Sequence, residues 1–363
     1  MRRKYIRKAL LEALADALPD ILLTCSALLL ALVLTACGGG GGGGGSTIAT
    51  PASNAPASNI LPVTGLATAY STSVWQDNFA ADTSSTPNNS LWATETGNGT
   101  EYNIPGWGNN EAEYYLPSNA AVHNGALNIQ GKADSSVSGY LCSGATCQFS
   151  SAKVTSLRTV DLSSPGYLEV IADVPTGIGS WPAIWLLPGS APGQAFPPTV
   201  GQLSLQPAWP SSGELDLMEY MWRYHAPNTQ IVQTTLHLPT GSSAPYSDAY
   251  QYIRMGLSSS ASGNFHRYQM LWDASSVRYA VDDTVQMTCQ KSNLTCTPID
   301  PSSPGAPMSP TVSYWPYGVT THNYYLIMNL AIGSNGITNG NNALIPANYN
   351  QTMRVQSVQY LTP

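Results

Sequence analysis

Gly213-Glu214-Leu215-Asp216-Leu217-Met218-Glu219-Tyr220 places three carboxylates within six residues, interleaved with Leu and Met. Only 10% of the chain is charged, so this density stands apart from the rest of the sequence. Alternation of polar and apolar residues is the period of a β-strand with one face on a core. Glu214 and Asp216 therefore share a face, and Leu215 and Leu217 take the other. Strict alternation sends Glu219 to the apolar side, where an ionised carboxylate is costly. One extra residue near Leu217-Met218, a β-bulge, returns Glu219 to the face of Glu214 and Asp216. The segment predicts a bulged strand with three acids on one side.

The surrounding chain has the same character. Ala126-Leu127-Asn128-Ile129-Gln130, Tyr167 to Ala172, Val277 to Val281 and Tyr324 to Leu330 are short runs rich in β-branched and aromatic residues. Each is bounded by Gly, Pro, Asn or Ser, as strands are. No long amphipathic helix and no internal repeat interrupts them. The expectation is an all-β fold, an antiparallel β-sandwich, over residues 68–363 as one domain. Trp272, inside a strand pattern, belongs to its core. Two Pro-rich stretches, 188–213 and 298–317, read as long surface loops of the kind that often carry function.

The first 37 residues read differently. Arg2, Arg3, Lys4, Arg7 and Lys8 precede an almost purely apolar run at 21–36, too short for a membrane span of about 20 residues. Leu34-Thr35-Ala36-Cys37 then resembles a lipobox, with Cys37 the lipidated first residue of an exported, membrane-anchored bacterial lipoprotein. Eight glycines at 38–45, followed by Ser, Thr, Ala, Pro and Asn, make residues 38–67 a flexible tether.

The leader holds five basic residues and three acids, Glu12, Asp16 and Asp20, so its removal takes the net charge from −7 to −9. Such a surface does not attract nucleic acid, and a neutral partner fits it better. The membrane is reached through the lipid anchor alone, and a monomer is expected. Of six cysteines, four lie beyond the anchor, in two close pairs. Export permits their oxidation, and two loop staples are predicted, Cys142–Cys147 and Cys289–Cys296. Neither pair has the spacing of a zinc site, and no metal ligands are assigned.

Two glutamates flanking an aspartate on one strand face supply what cleavage of a sugar–sugar bond requires, a nucleophile and an acid/base. Clustering itself raises the acid's pKa by like-charge repulsion. Two simpler readings compete: a solvated acidic strand edge, which the interleaved Leu, Met and Tyr argue against, and a calcium loop, which usually carries Gly and Asn among its ligands. His-Glu-x-x-His and Gly-x-Ser-x-Gly are absent, which leaves metalloprotease and serine-hydrolase readings without support.

Together with Trp181-Pro182-Ala183-Ile184-Trp185-Leu186-Leu187-Pro188, the acidic strand resembles the laminarinase-type branch of the family 16 glycoside hydrolases. The similarity runs over residues 74–361. It includes Trp75 to Phe79, Trp107-Gly108-Asn109-Asn110-Glu111 with Tyr114-Tyr115, Thr235-Leu236-His237, Phe265 to Tyr268 with Trp272, and Met328 to Gly333. The resemblance implies a concanavalin A-like jelly roll of two antiparallel sheets with a concave substrate cleft. It implies retaining endo-hydrolysis of a β-glucan, β-1,3-linked, with Glu214 as nucleophile, Asp216 as its hydrogen-bonded assistant and Glu219 as acid/base. Alternatives on the same fold are a transglycosylase, a hydrolase of mixed-linkage glucan or galactan, and a glucan-binding module without catalysis.

Sugars stack on aromatic faces and hydrogen-bond through their hydroxyls. Trp107, Trp181, Trp185 and Trp209 are the cleft candidates. Asn109, Asn110 and Glu111 are candidates for sugar hydroxyls, and His237 for a bond to Asp216 or to substrate. Three departures from the family pattern stand out. Lys153, after Ala152, replaces an Arg and cannot reproduce a bidentate contact with sugar. Gly336 stands where a Trp is common. Gln356 stands where many members place an Asp that can ligate calcium, so a structural calcium ion is doubtful. No cofactor is required.

Overall fold

The structure is a computed structural model that describes residues 64–79, 86–102, 104–189, 209–242, 247–298, 312–319 and 322–363. These fall within one compact unit, Asn54–Pro363. The leader, Cys37, the glycine tract and most of both Pro-rich stretches lie outside the described residues.

Strands dominate. In chain order they are β1 (Thr72–Asp77), β2 (Trp92–Thr94), β3 (Glu113–Tyr115), β4 (Ala120–His123), β5 (Ala126–Ala133), β6 (Leu141–Cys142), β7 (Ala145–Thr146), β8 (Phe149–Ser151), β9 (Lys153–Asp161) and β10 (Gly166–Asp173). Then come β11 (Ser180–Pro188), β12 (Glu214–Glu219), β13 (Ile231–Thr240), β14 (Ser247–Gly256), β15 (His266–Trp272), β16 (Ser276–Val281), β17 (Thr284–Gln290), β18 (Thr295–Pro298), β19 (Asn323–Ile332) and β20 (Asn350–Thr362). Among the described residues, one α-helical turn, Trp222–His225, and several 3-10 turns join them.

Two sheets pack face to face. The larger runs β18-β17-β16-β15-β10-β20-β5-β8-β3, with β1 and β4 attached at β20 and β5. The smaller runs β14-β13-β12-β11-β19-β9-β2. Pairing in both is antiparallel except for β3 beside β8. Between the sheets, Leu215, Ile184, Leu236 and Met328 of the smaller one meet Leu168, Tyr268, Met270 and Val355 of the larger in one apolar core. Trp272 lies in that core, as its strand pattern predicts. This is the jelly-roll sandwich expected from the sequence.

Both predicted staples are formed. Cys142–Cys147 closes the small β6–β7 hairpin, and Cys289–Cys296 ties β17 to β18. Packing begins slightly before residue 68. Gly65–Ala69 makes a 3-10 turn that buries Ala67 against Tyr70, Tyr167 and Leu271.

Candidate active site

The bulge is present where the carboxylate spacing demands it. Against β13, Asp216 pairs with Thr235 and Glu219 with Gln233, so Leu217 and Met218 together face the single residue Thr234. Against β11, Ile184 pairs with Met218 and Trp185 with Asp216, which leaves Leu217 as the extra residue. Leu217 and Met218 both enter the core, and Glu219 emerges on the side of Glu214 and Asp216.

That side forms one wall of a cavity of about 670 Å³, within the size range of ligand clefts. Strand register sets its layout. One row across the sheet reads Lys153, Asn329, Ala183, Glu219, Gln233. The next carboxyl along β12 is Asp216, between Trp185 and Thr235, and the last is Glu214, opposite His237. Gly213, with φ +75, introduces the strand; a side chain there would run into the Tyr317 ring. The Tyr317 hydroxyl accepts from the Glu214 N–H at 3.2 Å and donates to the Glu214 carbonyl at 2.8 Å, fixing the start of β12.

The three carboxyls have different surroundings. Glu214 is partly exposed and accepts a hydrogen bond from Trp209 Nε1 at 2.8 Å. Asp216 is buried and bonds to His237 Nε2 at 3.1 Å, while His237 Nε2 lies 3.8 Å from Glu214 Oε1. The expected Asp216–Glu214 hydrogen bond is therefore replaced by an imidazole that stands between them. Burial, then the charges of Glu214 and Glu219, raise the Asp216 pKa well above the usual carboxylate range. Burial works against a charge on His237, but Glu214, Asp216 and Asp248 win and raise its pKa well above the ordinary value.

Glu219 is buried and accepts from Trp181 Nε1 at 3.0 Å and from Thr235 Oγ1 at 2.9 Å. Its pKa is raised by burial first; His237, Thr235 and Trp181 pull the other way, and Glu214 adds to the rise. Like-charge repulsion, the cause expected from the sequence, is thus secondary to loss of solvent.

At the other end, Lys153 is buried with its ammonium 3.4 Å from Glu95 and 4.2 Å from the centre of the Trp107 ring. Trp185 Nε1 donates to Asn329 at 2.8 Å, Asn329 donates to Tyr115 at 3.1 Å, and Tyr115 donates to Glu111 at 3.4 Å. Asn109 also donates to Glu111, at 3.2 Å. Glu111 is buried beside Glu113, and burial raises both their pKa values.

The cavity brings together Trp107, Asn109, Glu111, Lys153, Trp181, Trp185, Trp209, Glu214, Asp216, Glu219 and His237. Asn110 is a correction. It sits exposed in the left-handed region with φ 55, a turn residue outside the cavity wall. Glu111 and Lys153 spend their polar groups largely on protein partners, so their first role is to support the wall. Sequence reasoning missed Tyr115, Gln233, Asp248, Tyr250 and Asn329, which also line the site. Tyr115 and Asn329 lay inside motifs already singled out; Asp248 and Tyr250 had no signal short of the β13–β14 register.

Comparisons with known proteins agree with this fold. Glucan endo-1,3-beta-glucosidase A1 of Niallia circulans is 30% identical over 295 residues, covering 79% of this chain and 37% of that protein. The beta-glucanase of Rhodothermus marinus is 28% identical over 268 residues, covering 72% of this chain and 75% of that one. The laminarinase catalytic domain from Thermotoga maritima MSB8 superimposes with a TM-score of 0.58 at 25% identity, over 80% of this chain and 98% of that one. The chain thus spans little more than a third of the first relative's length. The description "Glycosyl hydrolases family 16" matches residues 118–326, more than half of the sequence, and the chain belongs to that family.

Proposed function

We propose that the chain is a retaining endo-hydrolase of β-glucan, with β-1,3-linked, laminarin-type glucan as its substrate. The observation that carries the reading is the bulge at Leu217, which puts three carboxyls in one aromatic-lined cavity and leaves Asp216 and Glu219 buried with raised pKa values. The names and folds of the relatives point to the same substrate class.

In this reading Glu214 Oε attacks the anomeric carbon while the glycosidic C–O bond breaks. Glu219 gives its proton to the leaving oxygen. Glu219, now a carboxylate, takes a proton from water, whose oxygen displaces Glu214 from the anomeric carbon. A buried acid suits the first step because it holds its proton near neutral pH. Trp209 steadies one nucleophile oxygen through its N–H. Asp216, through His237, offsets the change of charge at Glu214 as the glycosyl ester forms and breaks. No cofactor takes part.

Incubation with laminarin, lichenan, agarose and carrageenan tests the substrate. Glu214→Gln should abolish turnover and keep glucan binding. Glu219→Ala should recover turnover of an activated aryl glycoside on addition of azide, with a glycosyl azide as product. Binding without hydrolysis by the unaltered chain would instead favour a glucan-binding module. Larger oligosaccharide products would favour a transglycosylase. The same proposal places the enzyme as a monomer at the cell envelope, lipidated at Cys37 and held off the membrane by the tether at 38–67; Cys37→Ser should move it to the soluble fraction.

A further inference from the structure

The His237 imidazole lies between two carboxyls from two different strands. Nδ1 is 2.8 Å from Asp248 Oδ2 on β14, and Nε2 is 3.1 Å from Asp216 Oδ2 on β12. Register explains this: His237 pairs with Tyr250, and Asp248 is the same-face neighbour two residues along β14. We propose that Asp248 is a positioning residue for the nucleophile. It anchors His237 through Nδ1–H, so that Nε2 faces Asp216 and Glu214. The inference rests on the hydrolase reading above.

The chemistry supports the assignment. An ionised carboxylate only accepts hydrogen bonds, so Asp248 holds the proton on Nδ1. A ring fixed in that way cannot turn over, and its Nε2 stays 3.8 Å from Glu214 Oε1. The groups around His237 are Glu214, Asp216 and Glu219 from β12, Asp248 and Tyr250 from β14, and Tyr317, whose hydroxyl reaches the His237 carbonyl. Among these described neighbours the carboxyls outnumber the imidazole, so a cationic ring is favoured. Among the described residues, Oδ1 of Asp248 has no hydrogen-bond partner although it is buried. Asp248 directs its other oxygen, Oδ2, to His237. Asp248 touches neither reacting atom and acts through the imidazole.

The test compares wild type with Asp248→Asn and Asp248→Glu on laminarin, with the imidazole signals of His237 followed by NMR in the same proteins. Asn keeps an acceptor and removes the charge. Expected for Asp248→Asn is a kcat loss of about tenfold or more with KM within about twofold, and a His237 titration midpoint lowered by about one unit or more, as for loss of a close opposite charge. Asp248→Glu should recover a large part of kcat. An unmoved His237 titration, or a change in KM alone, would overturn the proposal. Wild-type NMR showing the proton on Nε2 only, with Nδ1 bare, would overturn it without any variant. A wild type that cleaves no glucan would instead sink the hydrolase reading, while the NMR result would still decide the His237–Asp248 contact.

Discussion

Replacing Thr235 by Val tests how the acid is tuned. The Thr235 hydroxyl donates to Glu219 at 2.9 Å and accepts from Gln233 Nε2 at 3.2 Å, so its proton is directed at the carboxyl. A hydrogen bond to a charged group contributes about 1.5–3 kcal/mol, and part of it survives when Glu219 is protonated. A net difference of about 1.4 kcal/mol corresponds to about one pKa unit. Thr235 lowers the Glu219 pKa; its loss raises it further, because burial then acts with less opposition. In the proposed mechanism Glu219 starts the reaction protonated, so the alkaline limb of kcat/KM should move up by about one pH unit. Valine has nearly the shape of threonine, so the cavity wall keeps its form. The assay is kcat/KM on laminarin across the pH range in which the variant stays folded, with the limb fitted for both proteins. A limb that stays in place, or moves to lower pH, refutes the assignment of Glu219 as the acid tuned by this contact.

Two further outcomes concern stability. Glu111 and Glu113 have folded pKa values raised by burial, so the folded state holds protons that the unfolded state releases. Their contribution is fully present below the ordinary glutamate pKa and is lost as pH rises through the folded values. Glu113→Gln should therefore flatten the fall in Tm from mildly acidic toward neutral pH, and an equally steep fall would show that the pair does not govern it. Lys153→Met leaves the Glu95 carboxylate buried without its ammonium. The expected cost is about 3–5 kcal/mol in urea unfolding, recovered largely in Lys153→Met/Glu95→Leu; equal instability of single and double variants would contradict the pairing.

Much of the site was legible because the acidic strand contradicts itself. Three carboxyls at 214, 216 and 219 cannot share a face under simple alternation, and that conflict announced an extra residue near Leu217-Met218, which the pairing with β11 places at Leu217. The sandwich was legible from short runs rich in β-branched and aromatic residues, such as β10 and β16, and the staples from close cysteine pairs. What was hidden depends on which strands become neighbours. Asp248 meets His237 only through the β13–β14 register, and Asn329 meets Trp185 only because β19 lies beside β11. Asn110 stood in a motif read as near sugar, while it sits in an exposed left-handed turn outside the cavity lining. The weight of burial over repulsion at Glu219 was also out of reach, since it depends on how far the wall closes over the carboxyl.

The kink at Leu217 ties inheritance of the fold to inheritance of the chemistry. Straightening the strand at constant length would make Met218 and Glu219 exchange sides. The second acid would then be driven among aliphatic side chains, or the whole ribbon would have to slide along its neighbours. At its present length the segment therefore keeps its chemistry only while it stays kinked.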